Sequence, residues 1–154
     1  MSLTGNIVTA IAADTAIAAW CSSAYGQEQT VQLGVDLDQL PEQGLYPIVV
    51  ISPVTSTEGR ALDVETAVYV VTCGIVDDSE AVSNTKNIIQ FDQIIDLETF
   101  RRLVLTAIEG ADLAGGYVAE VEVENDPVEL FPIFSTNMSI RIHCFTDMRG
   151  RWVK

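Results

Sequence analysis

The chain has 154 residues, 48% of them apolar and only 19% charged, yet 22 acids face 8 bases for a formal net charge of −14. That length fits one domain, and so rich an aliphatic content excludes a disordered solvating chain. A surface of that sign repels phosphate, which excludes a general nucleic-acid binder, and no apolar run approaches the about 18 residues of a membrane span.

The reading is a single domain over 1–154, with a helical segment at 1–24, an acidic excursion at 26–44 and a basic tail at 147–154. Ile7, Val8, Ile11, Ile17 and Trp20 recur at helical spacing among many alanines. Thr4 is expected to cap the first turn, and Asp14 to cap a second short helix after a break. Gly26–Gly44 is polar and turn-rich, with a short strand expected at Thr30–Val35.

Tyr46–Pro53 is a continuous apolar run bounded by prolines and predicts a buried strand. Thr55–Arg60 reads as a connecting loop. Val64–Val76 predicts a longer strand with Val68 and Val70 on one side and Ala67, Tyr69, Val71, Cys73 and Ile75 on the other. A strand apolar on both sides calls for cover on both sides. Asp77–Asn87 reads as a polar loop, and Ile88–Ile95 fits either a strand or the approach to a helix.

Asp96–Glu109 predicts the clearest helix, with Asp96 as its N-cap, a stripe of Leu97, Phe100, Leu103, Val104, Ala107 and Ile108, and Gly110 at its end. That stripe is expected to meet Val68, Val70, Val121 and Ile140. Two partner strands follow. In the first, Tyr117, Ala119, Val121 and Val123 alternate with Val118, Glu120, Glu122 and Glu124. In the second, Phe134, Thr136, Met138, Ile140, Ile142 and Cys144 alternate with Ser135, Asn137, Ser139, Arg141 and His143. Antiparallel pairing sets the glutamates opposite Arg141 and His143. The order helix, strands, helix, strands gives an α+β domain with one mainly antiparallel sheet and helices on one face.

Chemistry-bearing residues are sparse. Cys21, Cys73 and Cys144 lie far apart without a CxxC, and no basic leader precedes them, which predicts reduced, buried thiols. His143 is the single histidine and falls on a polar strand face, without a sequence feature that sets a nucleophile beside it. Glu120, Glu122 and Glu124 sit about 7 Å apart along a strand, a spacing that suits either a divalent cation or a hydrated strand face. Gly115-Gly116 lacks the Lys-Ser/Thr of a phosphate loop and reads as a turn. No catalytic, cofactor or metal site is assigned, and the chain is not read as an enzyme.

Charge is uneven. Residues 1–85 hold eleven acids and one base, whereas Arg149, Arg151 and Lys154 crowd the last six residues. Those three bases, with Trp20, are the expected interaction residues, the tail docking on an acidic surface of a neighbour. Apolar surplus in so acidic a chain points to a permanent oligomer.

The Ala/Ile helix, "YPIVVISP", "DVETAVYVVTCGIV", "DLETFRRLVLTAIEG", "YVAEVEVEN" and "FPIFSTNMSIRIHC" come in an order, over residues 4–146, that resembles tail terminator (tail completion) and head–tail joining proteins of tailed bacteriophages. The resemblance implies a structural virion protein, assembled in the host cytoplasm. It would form a homo-oligomeric, hexameric ring that caps the tail tube, ends its polymerisation and joins tail to head. Its implied partners are the tail tube protein and head or neck connector proteins, with DNA passing unbound by sequence and no membrane contact. Two other classes remain open: a small ligand-binding domain with a pocket under the Asp96–Glu109 helix, and a metal-dependent enzyme using Glu120, Glu122 and Glu124 with His143.

Overall fold

A computed structural model describes residues 2–34, 41–57, 64–77, 82–85, 87–125 and 133–145, with backbone alone at 64, 82–85, 91 and 145. The domain is α+β, as the order of elements implied. Two helices come first, α1 (Leu3–Ala12) and α2 (Thr15–Tyr25), followed by β1 (Thr30–Leu33), a single 3-10 turn at Gln43–Leu45, β2 (Ile48–Thr57) and β3 (Val64–Val76). A small hairpin, β4 (Val82–Thr85) and β5 (Ile88–Phe91), leads into α3 (Asp92–Glu109). The chain then returns through β6 (Tyr117–Asn125) and β7 (Ile133–Phe145).

Five strands form one sheet in the order β1-β2-β3-β7-β6, and β4-β5 form a separate two-stranded ribbon. Among the described residues β1–β2 is the one parallel pair; β2–β3, β3–β7 and β7–β6 are antiparallel. The helices lie on one face of the sheet, with α3 against β3 and β7, and α1 and α2 beside it.

The break between the first two helices is where the alternation of cap and stripe placed it. Asp14 Oδ1 accepts from the Ile17 amide at 2.8 Å and opens α2. The α1 cap is Ser2 rather than Thr4: Ser2 Oγ accepts from the Gly5 amide at 3.0 Å. Thr4 falls inside the helix, where its hydroxyl reaches the Tyr69 hydroxyl at 2.8 Å.

Side-chain alternation fixes the core. Tyr69, Val71, Cys73 and Ile75 of β3 and Met138, Ile140 and Ile142 of β7 are buried against Leu97, Phe100, Val104 and Ile108 of α3. Ile7, Ile11, Ile17 and Cys21 seal the same core from α1 and α2. Val68 and Val70 do not meet α3, contrary to expectation. They point to the far face, because the helix side of β3 is taken by its odd-numbered neighbours.

Among the described residues the far face is covered at one end, by Tyr46, Ile48 and Val50 packed with Val76 and Ile133. The Tyr46 ring, which follows a turn into the cis Tyr46–Pro47 bond, lies over Gly74. A Cβ at Gly74 would come within 2.9 Å of ring Cε2, so the close cover requires glycine there.

Three other expectations change. Strand β2 runs on through Thr57, so Thr55–Thr57 belong to the sheet; the jump in register between Pro53 and Thr55 shows Val54 as a bulge. The polar stretch before residue 88 contains β4, which pairs with β5. Helix α3 starts at Asp92, four residues before the expected cap. Gln93 is buried, so this extra turn packs on the body, and Asp92 suits the positive helix start.

Candidate functional site

Two surfaces of the described residues stand out: the open face of the sheet and an apolar arm. The open face is built by β6 and β7. Glu120, Glu122 and Glu124 stand in an exposed row opposite Arg141, Ser139 and Asn137. Arg141 Nε lies 3.7 Å from Glu120 Oε2, with both side chains more than half exposed, so the pair is weak and salt-sensitive. Asn137 is held from β3, its Oδ1 accepting from Thr72 Oγ1 at 2.6 Å.

The expected alternation of β6 is broken near its start. Register shifts between Val118 and Glu120, leaving Ala119 as a bulge. Tyr117 is thereby placed opposite His143 on the open face, not with Val121 and Val123. The two rings meet edge to face at 5.6 Å, and the Tyr117 hydroxyl is 3.5 Å from His143 Nδ1.

Cys144 follows His143 but, one residue along the strand, points to the helix side. Burial pushes its thiol upward, and pushes those of Cys21 and Cys73 up to about 12. Thiols so held stay protonated at neutral pH and are poor nucleophiles. Among the described residues no group of three or more His, Cys, Asp and Glu is placed to hold a metal ion, the glutamate row included. No single helix among them is long and apolar enough to cross a membrane.

A cavity of about 370 Å³ opens at the end of the sheet where β2 and β7 finish, against the start of α1. Thr4, Ser56, Thr66, Tyr69, Glu65 and Cys144 contribute to its wall. It offers hydroxyls and one carboxylate. It is not the pocket expected beneath α3, where Phe100, Val104 and Ile108 fill the space.

Trp20 is half-buried and stacks on Phe100, centroids 5.5 Å apart and planes 13° apart, with Tyr25 tilted against it at 5.7 Å. One face of the ring therefore serves the helix layer. Tyr25 donates to Asp96 Oδ2 at 3.1 Å, and burial with that carboxylate pushes its phenol pKa upward. Asp96, expected as a cap, instead ties α3 to α2. Arg149, Arg151 and Lys154 lie outside the described residues.

The apolar arm is not legible as a surface in the sequence. Ile88 and Ile89 of β5 are 63% and 70% exposed, and Ile94 and Ile95 of the first α3 turn are 55% and 46% exposed. Four isoleucines within eight residues are the available signal, but such a run fits a core segment equally well. The sequence matches no protein-family model and no curated protein.

Proposed function

We propose that this chain is a structural subunit of a homo-oligomeric ring that closes the tail tube of a tailed bacteriophage and joins it to the head. The observation that carries the reading is the exposed isoleucine quartet in a chain of net charge −14 whose core is already filled by other residues. Such a patch on an acidic subunit is where identical copies can meet without bringing charge together. The phage setting rests on the order of elements alone. An acidic ring also suits a passage for DNA, since carboxylates such as those of β6 repel phosphate and let it slide.

A second reading, a small-ligand-binding domain, has the 370 Å³ cavity in its favour. Light scattering on the purified protein, alone and with a tail tube protein, separates the two. The ring reading expects a closed multiple, six copies, visible as rings by electron microscopy. A monomer under both conditions would count against it and leave the binding domain.

A further inference from the structure

We infer that the β4–β5 ribbon is an assembly arm and that its receptor is the β6 edge of a second copy of this chain. The inference rests on the ring reading and names the contact that would build it.

Neighbouring residues of a strand point to opposite faces, so exposed Ile88 and Ile89 put one isoleucine on each face of the ribbon. The ribbon shares no ladder with the main sheet among the described residues. A two-stranded ribbon is marginal in water by itself. Ile94 and Ile95 are also exposed, in the first turn of α3, which follows β5 directly in the chain. The arm therefore carries an exposed isoleucine on each of its two sides, uncovered within the described part of its own subunit.

Charge identifies the receptor. Strands β4 and β5 contain no charged residue, and Lys86, in the short connection between them, is the one base between residues 61 and 100. Among the described residues strand β6 is an edge of the main sheet, nine residues long, with the row Glu120, Glu122 and Glu124 on one face and exposed Val123 on the other. Two β6 edges cannot pair with each other without setting glutamate against glutamate. An uncharged strand meets no such barrier, and Lys86, two residues before Ile88 in the sequence, has the charge opposite to that of the row. Adding a strand to an open edge is a common mode of recognition. The contact joins unlike surfaces, so each copy gives its arm to the next and offers its edge to the one before, the geometry of a ring.

The test uses the full chain and light scattering across a concentration series. Ile88→Asp with Ile89→Asp should raise the concentration needed for assembly at least about tenfold, with the thermal midpoint of the monomer unchanged because both side chains are exposed. Lys86→Glu and the pair Glu122→Lys/Glu124→Lys should each weaken assembly, and their combination should restore it. Wild-type rings that the arm variants leave intact would overturn the inference and spare the ring. Loss in both charge variants without recovery in the combination would overturn β6 as the receptor. A wild-type chain that stays monomeric, alone and with tube protein, would overturn inference and ring together.

Discussion

Along β7, Met138, Ile140 and Ile142 are sealed under α3, while Asn137, Ser139, Arg141 and His143 face outward beside a row of glutamates. Both sets come from one strand, and alternation alone separates them. The helix side is apolar, closed and intolerant of lost volume. The far side is covered at one end by Tyr46 and its neighbours, and among the described residues the rest of it mixes Val68 and Val70 with polar and charged side chains. Stability is thus concentrated on one face, and the other is available for contacts. A strand apolar on both sides, such as β3, need not be covered equally on both. Val68 and Val70 are only half-buried, with the widths of β2 and β7 as their shelter.

The largest effect that can break this comparison is in the helix-side core. Phe100 is fully buried between Trp20 and the sheet side of the core, and Phe100→Ala should cost about 3–5 kcal/mol in urea unfolding. A loss below about 1 kcal/mol would mean that the helix layer is not what closes that face.

The buried thiols give an intermediate test. With native pKa values raised from 9.0 to about 12, Cys21 and Cys73 remain protonated where unfolded thiols ionise. The folded state then holds protons that the unfolded state releases. Their contribution to stability is complete below pH 9 and declines as pH rises toward 12. At about pH 8, near the ordinary thiol pKa, both should resist a thiol reagent in the native state and react promptly in denaturant. Rapid native labelling would show the helix face to be open.

The smallest effect is expected on the open face. Arg141→Gln removes an exposed pair 3.7 Å long and should change stability by about 0–1 kcal/mol. If it cost as much as Phe100→Ala, the two faces would not differ as described.

Long, strictly alternating segments are legible in the sequence. The bounds of β3, the two sides of β7 and the stripe of α3 all follow from a period of 2 or 3.6 in the apolar residues. Short elements are not legible in this way. Strand β4 has four residues, Val-Ser-Asn-Thr, whose polarity reads as loop, and it exists because β5 supplies its ladder. The start of α3 differs from expectation because Asp92 and Asp96 are equally good helix openers, and burial of Gln93 chose the first. Tyr117 lies on the opposite side from the one expected because a bulge at Ala119 leaves no mark in composition.

The candidate surfaces divide in the same way. The glutamate row is plain in the sequence, as is its strand partner Arg141, because both depend on local alternation and one hairpin-like pairing. By itself, then, the sequence determined the class of fold, the acidic face and the identity of most core residues. Tertiary structure alone decided which apolar residues stay outside. Ile88, Ile89, Ile94 and Ile95 are as hydrophobic as Ile7 or Ile140, and no local pattern distinguishes them. They are exposed because the α1, α2 and α3 stripes already fill the helix side of the sheet, and packing space is a property of the whole domain.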